Sequence, residues 1–143
     1  HSPFVYDFVT KGLYKKKLKT TSFEEYDELK NLSKKQQKLF LKIVNYFKID
    51  KFYFDFNTFT KTSSKSYKIL YIKELINLNE LDFTNLSSEH IILFNGIYKT
   101  KKSYQEWQKI IQNKEVTVTI NLFYFGLIFF RNEQAKEHFK IRV

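Results

Sequence analysis

Three short and almost wholly apolar runs constrain this chain more than any other feature: "YKILYI" at 67–72, "HIILFNGI" at 90–97 and "LIFFR" at 127–131. Runs this short fit strands better than core helices, and their continuous apolar character fits strands covered on both faces. Helical patterns alternate with them. The sequence therefore predicts an α/β layer fold, with a helical N-terminal third and a small mixed sheet.

Local signals set the helix starts. Ser2 precedes Pro3 at a first helical position, and Phe4, Val5, Phe8, Val9 and Leu13 form the stripe that follows. Ser22 with Glu25, and Ser33 with Gln36, each match a capping box. The second box leads into a helix whose apolar face is Phe40, Ile43, Val44 and Phe47. A fourth start is read at Ser103 and Glu106, with Tyr104, Trp107, Ile110 and Ile111 turned inward.

"FYFDF" at 52–56 reads as a strand entering a loop without glycine, and "ELINLNEL" at 74–81 as a helix. "VTVTINLF" at 116–123 alternates, which predicts a half-buried strand, and Gly126 punctuates a hairpin to the next strand. With no repeat, low-complexity tract or linker, residues 1–143 read as one domain: 1–50 helical, 51–143 a reduced α/β sheet part.

Composition narrows the chemistry. The absence of cysteine excludes disulfides, thiolate metal sites and a cysteine nucleophile. His1, His90 and His138 share no metal-ligand spacing, so no metal is expected. His90 beside Glu89 reads as a surface pair, and Ser63 and Ser64 as polar loop residues outside any nucleophile motif. No run is long enough for a membrane span and the start is no signal peptide, so a cytoplasmic setting is expected. The chain opens at His1 without methionine, which leads us to expect residues upstream.

The net charge of +10 comes mostly from lysine. Lys15, Lys16, Lys17 and Lys19 form the densest cluster, followed by Lys34, Lys35 and Lys38, then Lys99, Lys101 and Lys102. These lysines are a solvated surface or a basic contact surface able to follow phosphates, as in an RNA- or ribosome-binding module.

Two terminal segments carry a resemblance. "HSPFVYDFVTKGLY" at 1–14 and "VTVTINLFYFGLIFFRNEQAKEHFKIR" at 116–142, with "KLFLKIVNYF" at 38–47, resemble a bacterial family of class I S-adenosylmethionine-dependent methyltransferases, O-methyltransferase-like. The resemblance implies a Rossmann-like sheet with the cofactor at the carboxyl ends of its strands. It also implies an E-x-G-x-x-x-G loop after the first strand, where this chain has Asp55, Asn57 and Lys61. A D-D-x-H run is implied after a later strand, where Asn95, Gly96 and Tyr98 stand, and a further acid at Asn121; Trp107 still matches.

Loss of glycine removes the bare backbone that lets a nucleotide-like ligand approach. With the carboxylates gone as well, the expectation is a shortened, non-catalytic relative with no cofactor. About ten residues separate the first two strands, so they are antiparallel or joined through a vestigial helix. If the second run stands for the family's fourth strand, a whole sheet edge is missing. If it stands for the second, Glu74 is placed at the ribose. A missing edge predicts a protein partner or larger assembly. The competing expectation is an active methyltransferase with an atypical pocket, which would keep S-adenosylmethionine.

Overall fold

A computed structural model describes residues 2–16, 26–49, 51–61, 65–73 and 81–143. The chain divides into two compact units, His1–Asp50 and Lys51–Val143.

In the first unit, α1 (Pro3–Asp7) starts as its sequence predicts: the Val5 N–H donates to Ser2 Oγ at 3.3 Å. The helix widens into a π-helical segment, Phe8–Leu13, which buries Phe8 and Leu13. α2 (Lys34–Phe47) carries the complete capping box, with Gln36 N–H on Ser33 Oγ at 3.1 Å and Ser33 N–H on Gln36 Oε1 at 3.0 Å. Its Leu39, Phe40, Ile43, Val44 and Phe47 are buried, and Phe8 packs against the rings of Tyr46 and Phe47 at 5.3 and 5.2 Å. Ser22 and Glu25 lie outside the described residues; past them only a single 3-10 turn, Asp27–Leu29, is seen.

The second unit is a mixed α/β structure. Its strands are β1 (Phe52–Tyr53), β2 (Lys68–Ile72), β3 (His90–Asn95), β4 (Val118–Asn121), β5 (Phe125–Phe129) and β6 (Glu137–Lys140). They form one six-stranded sheet in the order β1-β2-β3-β5-β4-β6. β1, β2 and β3 pair in parallel, as do β4 and β6, while β5 lies antiparallel to both β3 and β4. Among the described strands, then, β5 alone runs against the rest.

β1 and β2 are joined through a helix, α3 (Phe56–Lys61), so the antiparallel alternative is excluded and the supposed loop is helical. "ELINLNEL" falls almost entirely outside the described residues, as do Glu74, Ser63 and Ser64.

α4 (Lys101–Gln112) links β3 to β4. Thr100 caps it, accepting Ser103 N–H at 3.0 Å, so the helix begins before the Ser103–Glu106 start expected from sequence. Trp107 and Ile110 enter the core cluster with Tyr104 and Ile111 packed against it, as the apolar spacing predicts.

Register explains the core. On one face Leu70, Ile92, Ile128, Thr119 and His138 align across five strands, and Ile72, Phe94, Gly126, Asn121 and Lys140 form the next row. Gly126 makes the second row possible: a Cβ there would lie 2.8 Å from both Phe94 Cε1 and Trp107 Cζ3. Glycine leaves the space in which those two rings meet at 4.9 Å.

The alternation in β4 does not leave a solvated face. Thr119 and Asn121 are as buried as Val118 and Ile120, since β4 lies inside the sheet and its polar positions find side-chain partners. β6, which no sequence signal had marked, closes the edge beside β4. Thr117 anchors its approach: Thr117 Oγ1 accepts Arg131 N–H at 2.6 Å and donates to the Phe129 carbonyl at 3.2 Å, while Glu137 N–H reaches the Thr117 carbonyl at 2.9 Å.

Candidate functional site

Because β1 to β4 and β6 run the same way, their carboxyl ends share one edge, where sites form in open α/β sheets. The positions singled out from sequence fall along this edge, but they do not converge.

At the end of β1, Asp55 caps α3. Its Oδ2 accepts the Thr58 N–H and the Thr58 hydroxyl, each at 2.9 Å. Those bonds, aided by Lys61, hold its carboxyl below the usual carboxylate range. Asn57 and Lys61 are exposed on this helix, so Asn57 takes no left-handed conformation. The D-x-x-T spacing of Asp55 and Thr58 is the sequence signal for this cap.

Asn95 and Asn121 occupy different faces. Asn95 ends β3 and donates from Nδ2 to Tyr71 Oη at 3.2 Å, two residues along from Leu93 and opposite in pleat to Phe94. Gly96 has φ +101°, a conformation that disfavours any side chain, and a Cβ would lie 3.2 Å from Lys99 Cβ.

Tyr98 and Asn121 do meet. Asn121 Nδ2 donates to Tyr98 Oη at 2.7 Å, and Asn121 Oδ1 accepts the Phe123 N–H at 2.9 Å. Phe123 has φ +72°, and Tyr124 N–H bonds back to the Leu122 carbonyl at 2.9 Å. This is a γ-turn of the positive-φ kind, rare and strained for a bulky residue. The turn holds Phe123 60% exposed, stacked on Tyr98 at 5.4 Å; Tyr98 stacks in turn on Tyr104 at 5.6 Å.

Beside these rings lies a groove of about 490 Å³, bounded by the 121–124 turn and the 140–143 segment. Sequence reasoning picked out Tyr98 and Asn121 but missed Phe123, Lys140 and Arg142, which also line it.

The opposite edge holds a second polar cluster. His90 is buried, not the surface residue expected, and packs edge-on against Phe59 at 4.8 Å. Its Nδ1 accepts the Ser87 N–H at 3.1 Å, which puts the proton of the neutral ring on Nε2, for which no hydrogen-bond partner is found among the described residues. Burial and the charge of Lys68 press its pKa below the ordinary value, against weaker opposing effects of the Phe59 backbone, Glu89 and the Ser87 backbone. The Ser87 hydroxyl donates to Glu89 Oε2. The hydroxyl oxygen also stands 3.2 Å from His90 Nδ1, but its one proton is directed to the carboxylate and not to the imidazole, the donation a nucleophile requires.

Of the basic surface, Lys15, Lys16, Lys34, Lys35 and Lys38 are exposed in the first unit, and Lys99, Lys101 and Lys102 in the second; Lys17 and Lys19 lie outside the described residues. Among the described residues no cluster of three or more His, Asp or Glu is placed to hold a metal ion. Nor is any helix there long and apolar enough to cross a membrane. No family model, no curated protein and no solved structure matches this chain.

Proposed function

We propose that this chain is a non-catalytic binding domain on a shortened, Rossmann-like methyltransferase sheet, working as a subunit of a larger assembly. One observation carries the reading. Asp55, at the position the resemblance gives to the cofactor loop's acid, spends its carboxylate on Thr58, and α3 runs on through Asn57 and Lys61 in place of a glycine turn.

Strand order supports the same reading. In a sheet ordered 3-2-1-4-5-6, loss of strands 2 and 3 leaves 1-4-5-6, and β1-β2-β3 reproduce the parallel run of its first three strands. Asn95 and Asn121, assigned by the resemblance to carboxylate positions, serve instead as amide partners of Tyr71 and Tyr98.

Calorimetry with S-adenosylmethionine and its demethylated product is the test. Neither is expected to bind; micromolar affinity for either restores the active-enzyme alternative. Co-purification of the untagged protein from its own cells tests the assembly, and recovery of a well-behaved monomer at high concentration contradicts it.

The exposed lysines of the first unit favour a second reading, RNA binding. Its affinity would fall steeply with salt, and a flat salt response to structured RNA removes it.

A further inference from the structure

We propose that the groove between the β4–β5 turn and the segment after β6 is a binding site for a small planar aromatic compound bearing an anionic group, of which a nucleoside monophosphate is one example. This inference rests on the reading that the carboxyl edge serves binding.

The site has three independent marks. Its volume of about 490 Å³ suits a small molecule. Its wall is aromatic and open to solvent: Tyr98 and Phe123 are 44% and 60% exposed, although large apolar side chains are normally buried. Phe123 is held outward by a strained γ-turn that Asn121 secures from below. Strain on a bulky residue persists only where the surroundings enforce it, and it clusters at functional positions. An exposed ring held at a fixed angle is a ready stacking platform.

The opposite wall supplies charge. Lys140 and Arg142 line the groove without an acidic side chain beside them, and among the described residues neither forms an ion pair. A planar guanidinium suits bidentate contact with phosphate or carboxylate, and the ammonium adds an unpaired charge. A ring on Phe123 with an anion toward Lys140 and Arg142 satisfies both walls together. A neutral aromatic or a bare anion satisfies one.

The test titrates the full chain, followed by amide NMR shifts, with 5′-AMP, phenyl phosphate, adenosine, inorganic phosphate and a single-stranded oligonucleotide. The expected result is binding of 5′-AMP or phenyl phosphate with shifts at 121–124 and 139–142. Adenosine and inorganic phosphate should bind at least about tenfold more weakly. Preference for 5′-AMP over phenyl phosphate identifies a nucleotide; equal binding identifies a general aryl anion.

Phe123→Ala and Arg142→Gln should each lower affinity about tenfold, with an unchanged fold in the spectrum. Absence of shifts with either ring-bearing anion at millimolar concentration overturns the proposal. So does binding of the oligonucleotide alone, or affinity indifferent to both substitutions. S-adenosylmethionine in the same series separates the two readings: shifts confined to 55–61 refute the loss of cofactor binding and leave the groove intact. Silence everywhere refutes the groove alone.

Discussion

Replacing Gly126 by alanine puts a methyl group between two rings that have nowhere to go. The added carbon would stand 2.8 Å from Phe94 Cε1, 2.8 Å from Trp107 Cζ3 and 3.0 Å from Phe94 Cζ. Carbon atoms prefer separations of about 3.5–4.0 Å, so each ring must retreat by roughly 0.7 Å. Both rings are buried and touch each other at 4.9 Å, so retreat displaces further core side chains.

Overpacking of this kind costs about 1–3 kcal/mol. Alanine also restricts the unfolded chain, which returns about 0.4–1 kcal/mol where the backbone accepts it. The steric effect wins, and the expected net loss is about 1–2 kcal/mol. Urea unfolding read by Trp107 fluorescence and by circular dichroism should show a lower midpoint with an unchanged slope. Phe94→Leu in the same chain makes room, so the double variant should be less destabilised than the sum of the singles by about 1 kcal/mol. A Gly126→Ala protein more stable than the parent, with no coupling to position 94, would refute the placement of the two rings over β5.

Three further outcomes follow from the hydrogen bonding and the histidines. Thr117→Val keeps the branched shape but deletes the hydroxyl that joins Phe129 and Arg131, and should lower unfolding free energy by about 1–2 kcal/mol; an unchanged midpoint contradicts that role. Gly96→Asp restores a carboxylate where the resemblance has one, yet φ +101° opposes any side chain, so a loss of about 1–3 kcal/mol is expected, against no loss if the turn were relaxed. The pKa of His90 is lowered on folding, so the unfolded chain binds more protons near neutrality. Its stabilising effect is full above the unfolded value of about 6.5 and drains away as pH falls toward the folded value. His138, lowered by burial and Lys136, contributes in the same direction. Thermal melts should thus decline as pH falls below about 6.5, and His90→Asn should flatten the slope; equal slopes in both proteins exclude His90 as its source.

The parts legible from sequence are those whose physics is local. Ser33 and Gln36 announced α2 because both halves of a capping box lie within one turn. The apolar spacing of Trp107 and Ile110 placed them in the core because a helix presents its stripe wherever it is docked. What stayed hidden depends on partners distant in the chain. Thr119 and Asn121 look like the wet face of a strand until His138 and Tyr98, 19 and 23 positions away, reach them.

His90 looked exposed beside Glu89, yet the ring of Phe59 helps enclose it. α3 was a different kind of miss. Its signal is local, the cap that Asp55 offers to Thr58, and is legible in the D-x-x-T spacing without any glycine. At the carboxyl edge, residues selected for one expected chemistry proved to divide between two faces of the sheet, and only Tyr98 and Asn121 came together.

Among the described strands β6 has a neighbour on one side only, and the Ile141 N–H to the Asn121 carbonyl at 2.9 Å ties the segment carrying Arg142 to the residue beneath Phe123. Peeling of that margin would part the two walls of the groove. An occupant gripping both walls therefore opposes the peeling by mass action. Deuterium uptake at the Ile141 amide should slow as the groove fills, so one backbone bond between the two walls keeps count of the ligand's arrival.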